Sequence, residues 1–330
     1  MSSIREVARL AGVSPATVSR VMNGTANVNE EKRKRVLRAI SETGFVPNEV
    51  ARSLFRKSAR IIGLVLPDIE NPFFTQLADA IERKADSSGY RVILYNTRND
   101  IEKEKVALQM MVSMNADGII FARSNEQLQP FIEASPIPVV VTDTVFAGGH
   151  ANAYVHCDFY QGGRMATEYL MECGCRKIVC MKGPQTHSSA KSRYEGYRDV
   201  CAENALAERT VETDYSFNMG LTAAEELLEK YPDADGIVAC NDMVAISAYK
   251  VLYKNHIAVP DQIQIVGFDD IFFTSLITPE LTTITQPIKA IGEKAAELII
   301  HSAEQEVNME QYIFPVSLMP RETTRGKKQR

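Results

Sequence analysis

Apolar side chains recur along the chain at two spacings, and the change from one to the other divides it. In the first part the spacing is helical. Ile4, Val7, Ala8 and Ala11 fall on one face, and Gly12 ends the segment. Ser14 suits an N-cap and Pro15 the first helical position, while Val18, Val21 and Met22 supply the next buried stripe before Gly24. Asn29 caps a third helix, with Glu30 and Glu31 in its first turn and Val36, Leu37 and Ile40 on its inner face. Two short helices joined by a tight Gly-Val-Ser turn, followed by a third, predict a helix-turn-helix.

Beyond residue 60 the pattern changes to short apolar runs: IIGLVL (61–66), VILYN (92–96), GIIFA (118–122), VVVTD (139–143), KIVCM (177–181), GIVAC (236–240) and IQIVGF (263–268). Helical stretches separate them. This alternation predicts parallel sheets built from βαβ units, and so many strands suit two doubly wound lobes better than one. Ligands in such folds bind at the carboxyl ends of strands, here in the cleft between lobes.

Between the two parts lies NEVARSLFRK (48–57), in which Val50, Ala51 and Leu54 share one face. The piece is too short to be a stable helix alone. It reads either as a plain linker or as a helix that folds against DNA with Leu54 wedged between base steps in the minor groove.

Charge separates the same parts. The formal net charge of -5 over 330 residues conceals 12 basic and 5 acidic side chains in residues 1–60, a net +7, and a net +4 in the last ten residues. The intervening 260 residues carry 20 basic and 36 acidic groups, or -16. A basic module on an acidic body suits a nucleic-acid reader with a separate sensing domain, because phosphate binding is driven by counterion release. Charge alone fits a solvated basic helix equally well.

Composition narrows the remaining classes. At 45% hydrophobic and 24% charged the chain is ordinary globular material, which excludes disorder or a collagen-like repeat for its bulk. It shows no apolar span of membrane length and no signal-peptide core, so a cytoplasmic protein with no membrane partner is expected. The six cysteines are scattered and are expected as free thiols, and Cys173-Gly174-Cys175 lacks metal spacing. No GxGxxG, GxxxxGK[ST] or GxSxG follows a strand, so neither cofactor nor enzyme activity is expected.

Candidate contacts follow from position. In the second helix Pro15, Ala16, Thr17 and Arg20 face a major groove, with Arg20 able to fork onto a guanine, and Ser14, Ser19 and Asn23 complete the reading set. In the body, Asn71, Phe73 and Phe74 follow the first strand; aromatics beside an amide suit a sugar, though both rings can equally be core. Asp143, Asn241-Asp242 and Asp269-Asp270 end strands, where carboxylates either accept paired hydroxyls or cap the next helix. Arg193 lies near a helix start in SSAKSRYEGY, and His187 precedes it. The cation either holds a hydroxyl pair or pairs with an acidic neighbour; the histidine either faces a phosphate or is an ordinary surface residue.

REVARLAGVSPATVSRVMNG, GFVPNEVARSL and IGLVLPDIENPFF resemble the start of lactose-repressor (LacI/GalR) family regulators, and ADGIIF, CNDMVA, IVGFDDI, TTITQP and FPVSLMPRETTR continue the resemblance. Within that family the chain is most similar to ribose-operon repressors of Gram-positive bacteria. The resemblance implies a homodimer whose headpieces read a near-palindromic, double-stranded operator, and a body of the periplasmic sugar-binding fold. It implies a helix-turn-helix over 1–47, a hinge over 48–60 and an effector-binding core over 61–330. In that core one lobe spans about 61–160 and 290–320 and the other about 161–289 and 321–330, with crossings near 160, 289 and 320. Asn27 and the hinge residues Asn48, Ala51, Leu54 and Phe55 join the DNA contacts; Phe55 replaces a lysine of purine-type members. The implied effector contacts are Asn71, Phe73, Phe74, Asp143, Ser189, Arg193, Phe217, Asn241, Asp269 and Gln286. Ribose-type members carry Asp-Arg where this chain has Asp143-Thr144. That loss removes a charge-assisted donor worth about 1.5–3 kcal/mol when buried. It leaves a hexose or phosphorylated sugar open beside ribose. A sugar-released repressor is the leading reading. A regulator strengthened by a phosphocarrier corepressor and a sugar-binding or sugar-modifying protein are the alternatives.

Overall fold

The computed structural model describes residues 3–23, 28–45, 58–144, 153–302 and 310–326. The chain forms two units, Met1–Ala59 and Arg60–Arg330.

The first unit contains three helices: α1 (Ile4–Ala11), α2 (Pro15–Asn23) and α3 (Glu30–Thr43). Ser3 caps α1 by accepting from the Glu6 amide, and Gly12 ends it at φ 63°, a left-handed conformation that favours glycine. The Ser14 hydroxyl accepts from the Thr17 amide at 3.2 Å, and the Asn29 side chain accepts from Glu31 at 2.9 Å. Val7, Ala8, Ala11, Val18, Val36 and Ala39 form the small core, with Ile4, Val21, Met22 and Ile40 packed against it. Leu37 corrects the expectation for α3. It is 51% exposed, because Val36 and Ala39 define the inward face and Leu37 lies one helical step round from it.

The second unit has two lobes. The first sheet holds β1 (Ile61–Leu66), β2 (Arg91–Asn96), β3 (Gly118–Phe121), β4 (Val139–Thr142), β5 (Ala153–Cys157) and β11 (Glu310–Phe314) in the order β11-β5-β4-β3-β1-β2, all parallel. The second holds β6 (Ile178–Lys182), β7 (Thr210–Glu212), β8 (Gly236–Ala239), β9 (Gln264–Asp269), β10 (Thr282–Thr285) and β12 (Ser317–Met319), ordered β12-β10-β9-β8-β6-β7, with β12 antiparallel. Central strands β3, β4 and β8 are buried at every residue, which is why they read as unbroken apolar runs.

Helices α4 (Pro72–Ser87), α5 (Ile101–Ser113) and α6 (Gln129–Glu133) serve the first lobe, and α7 (Phe159–Glu172), α8 (Ser188–Glu203), α9 (Phe217–Lys230) and α10 (Asp242–Lys254) the second. Helix α11 (Ile288–Ser302) returns to pack on α4. The chain therefore crosses between lobes after β5, after β10 and between β11 and β12. The last crossing falls at 315–316, earlier than the expected 320, because Leu318 and Met319 pair with Ile284 and Thr283 in the second sheet. All six cysteines are buried, and none of them is joined in a disulfide. Among the described residues no helix is long and apolar enough to cross a membrane.

Candidate effector cleft and nucleic-acid interface

The carboxyl ends of strands from both sheets converge on a cluster of buried charge. Asp143, just past β4, sits at its centre: the Arg123 Nε donates to Asp143 Oδ2 at 2.8 Å, and an Arg193 terminal nitrogen lies 3.9 Å from Oδ1. Arg193 also lies 3.7 Å from Asp269 Oδ1 and donates to the Cys240 carbonyl at 2.6 Å. Gln286 donates to Asp269 Oδ1 at 2.7 Å. All five side chains are at least nine-tenths buried. The Arg193 Nε is buried without a hydrogen-bond partner among the described residues.

Aromatic rings line the guanidinium planes. Arg193 lies 3.8 Å from the Phe268 centroid and 5.0 Å from that of Phe159, and Arg123 lies between Phe74 at 5.0 Å and Tyr215 at 4.3 Å. The rings hold both cations by cation–π attraction while excluding water. Asp143 and Asp269 have φ of 55° and 119°, where non-glycine residues are strained by about 1–3 kcal/mol.

Burial sets the protonation states. It pushes the Asp269 carboxyl up to about 7, against the pull of Arg193 and the Gln286 hydrogen bond. Burial and the neighbouring Asp269 hold Asp242 well above the usual carboxylate range. Desolvation and then the nearby Arg123 bring His187 down to about 4, so at neutral pH it is an uncharged ring beside Tyr215 and offers no cation to a phosphate.

The residues singled out from sequence divide into those in this cluster and those bound up in the scaffold. Arg193, Asp143, Asp269, Gln286 and Phe74 come together. Ser189, fully buried, faces the Tyr215 hydroxyl at 3.3 Å, and Phe73 meets Phe74 edge-on at 5.1 Å. Asn71 accepts from the Phe73 amide as the cap of α4. Asn241 uses both ends of its amide, accepting from Val244 and donating to the Tyr215 carbonyl. Asp242 accepts from Thr283 and the Ile271 amide, and Asp270 pairs with Arg321 at 2.7 Å. Phe217 opens α9 with Lys250 over its ring, and its carbonyl accepts from the Ser247 hydroxyl.

Arg123 and Tyr215 are missing from the residues read out of the sequence. Arg123 carried a usable signal, since it directly follows the GIIFA run just as Asp143 follows VVVT. Tyr215 sits in a loop, and no spacing marks it.

In the first unit, Ser14, Pro15, Ala16 and Arg20 are exposed and Thr17 and Ser19 half-buried along α2, while Val18 points into the core. Ser14 and Thr17 also share a hydroxyl contact at 2.9 Å. Arg5, Arg9, Lys32, Arg33, Lys34, Arg35 and Arg38 are exposed on α1 and α3. Asn23 ends α2. Asn27, Asn48, Ala51, Leu54 and Phe55 lie outside the described residues.

Residues 3–48 match the bacterial regulatory proteins of the lacI family, and residues 62–306 match the periplasmic binding protein domain. The chain belongs to the LacI family. Over 99% of its length it is 39% identical to the ribose operon repressor of Halalkalibacterium halodurans, covering 98% of that protein. The LacI-family fold extends to solved structures. The lac repressor dimer bound to operator and the anti-inducer ONPF superposes with TM-score 0.89 at 27% identity, over 98% of this chain and 99% of that one. A periplasmic binding protein/LacI transcriptional regulator from Alkaliphilus metalliredigens, complexed with D-xylulofuranose, gives TM-score 0.73 at 36% identity, over 80% of this chain and 99% of that one.

Proposed function

We propose that this chain is a dimeric, sugar-responsive repressor of a carbohydrate-utilisation operon, released from a palindromic operator by a small sugar, with ribose the leading effector. The observation that carries the reading is the joining, in one chain, of an exposed basic helix-turn-helix to a buried Asp–Arg cluster at the strand ends of a two-lobed body. Paired carboxylates and guanidiniums beside aromatic rings suit a polyol, taking its hydroxyl hydrogens on Asp143 and Asp269 and its oxygens on the arginines. The ribose repressor named above and the pentulose in the Alkaliphilus complex support a five-carbon sugar.

Release requires that the sugar bind the induced state better than the operator-bound one. Moving the population from 99:1 to 1:99 takes about 5.5 kcal/mol of differential affinity. Residues 48–57 are the proposed bistable element, because a helix of that length forms only when supported.

Two tests address the halves separately. Arg20→Ala, at an exposed position, is expected to weaken operator binding by about 1–3 kcal/mol while leaving the sugar affinity unchanged. Equal operator binding by the variant in a titration at fixed salt contradicts its assigned role. For the cleft, calorimetry across pH reads Asp269. Hydroxyl donors favour its ionised form, so the sugar lowers a carboxyl that burial has pushed up to about 7. Affinity therefore rises with pH through that value and levels above it, roughly five- to tenfold between pH 6 and 8. A flat or falling profile contradicts ionised Asp269 as the hydroxyl acceptor.

A further inference from the structure

Arg123 is an anomaly in this cluster: a cation in a buried slot made by both lobes. Its strand, β3, belongs to the first lobe, as do Phe74 and Asp143, while Tyr215 lies in the second between β7 and α9. Among the described residues its hydrogen-bond partner is Asp143, reached through Nε. The two terminal nitrogens of the fork are thus not spent on the scaffold, whereas Arg193 spends one on the Cys240 carbonyl.

The register explains how a cation reaches this point from β3. Phe121 pairs with Val141, which brings residues 122–124 alongside 142–144. Thr142 donates to the Ala122 carbonyl at 2.8 Å, and Thr144 donates to the Ser124 carbonyl at 3.3 Å. Ser124 and Asn125 in turn donate to the buried Glu104, which pins the segment from below. Position 123 therefore lies opposite 143 across the two strand ends, one residue from 144, and its guanidinium reaches the Asp143 carboxylate.

We propose that Arg123 is the specificity-determining cation of the effector cleft: its terminal N–H groups donate to the sugar's oxygens, and its seat on Tyr215 ties that donation to closure of the lobes. The inference rests on the sugar-cleft reading above. Thr144 is then no loss, since the donor stands on the adjacent strand. The same placement favours ligands with an oxygen pair facing β3 and β4.

The test is calorimetry of the full-length protein with D-ribose, D-xylulose and D-fructose, on wild type, Arg123→Ala, Arg123→Lys and the double variant Arg123→Ala/Thr144→Arg. Arg123→Ala is expected to weaken the best-bound sugar about 30-fold, in line with a buried charge-assisted hydrogen bond. Arg123→Lys, which keeps the charge but not the planar fork, recovers only part of the loss. The double variant recovers most of it, to within about fivefold of wild type if the restored hydrogen bond is slightly misaligned. A merely structural role moves melting temperature and sugar-free operator affinity and is not rescued from position 144; that pattern overturns the proposal. Wild-type binding with undiminished affinity in Arg123→Ala also overturns it and leaves the sugar-cleft reading standing. Failure of wild type to bind any of the three sugars removes the sugar-cleft reading and this inference together.

Discussion

Asp269→Asn is expected to abolish the sugar response and to leave operator binding intact. Asp269 lies beside Arg193, accepts from Gln286, and is almost completely buried. The amide keeps the shape but loses half of the acceptor capacity, and it turns a donor toward neighbours that are themselves donors. Each lost hydrogen bond to the charged group costs about 1.5–3 kcal/mol, so sugar affinity is expected to fall at least about 100-fold. The rise of affinity with pH disappears along with the titrating group. Calorimetry at pH 6 and 8, paired with operator titration of the same preparation, checks both parts. Sugar affinity within about threefold of wild type removes Asp269 from the site, since even one charge-assisted bond is worth more than that.

Gly196→Ala is expected to destabilise the body strongly. Helices α7 and α8 cross backbone to backbone. A methyl on Gly196 meets the Tyr160 carbonyl and lies 2.7 Å from the Arg164 amide, and one on Gly163 meets the Arg193 carbonyl. Neither neighbour is a side chain that can swing away. The crossing must open, and such overpacking costs about 3 kcal/mol, or a melting temperature lowered by about 6 °C or more. Function suffers by the same movement, because Arg193 is carried on α8 one turn before Gly196. Melting within about 1 °C of wild type contradicts backbone contact at this crossing, since that corresponds to well under 1 kcal/mol.

What was legible in the sequence follows the strength of periodic signals. The three headpiece helices announced themselves through caps at Ser14 and Asn29 and a clean stripe, and only Leu37 was assigned to the wrong face. Central strands such as Gly118–Phe121 were visible as fully apolar runs. Thr282–Thr285 was not, because its threonines serve the interior through hydroxyl bonds to Asp242 and Thr324 rather than through apolar surface. Thr210–Glu212 and Ser317–Met319 are short edge strands, too brief for any alternation to register.

The cleft was legible residue by residue but not as a set. Position at strand ends pointed to Asp143 and Asp269, and resemblance added Gln286 and Ser189. Neither separates a ligand contact from a scaffold bond, since both uses place the same residue types at the same positions. Asn241 and Asp242 show this, with their polar atoms committed to helix caps and strand ends. Arg123 stands at a strand end as Asp143 does, but it lies on the strand neighbouring the Asp143-Thr144 pair. Lateral adjacency of this kind depends on strand register and is invisible to a reading along the chain.

Release of DNA by a sugar is read by titrating the purified protein onto a palindromic operator from its own gene neighbourhood at fixed salt, with and without D-ribose. Tight binding is expected in the absence of sugar, and its loss on addition of ribose. Operator binding that ribose leaves unchanged or tightens contradicts a sugar-released repressor.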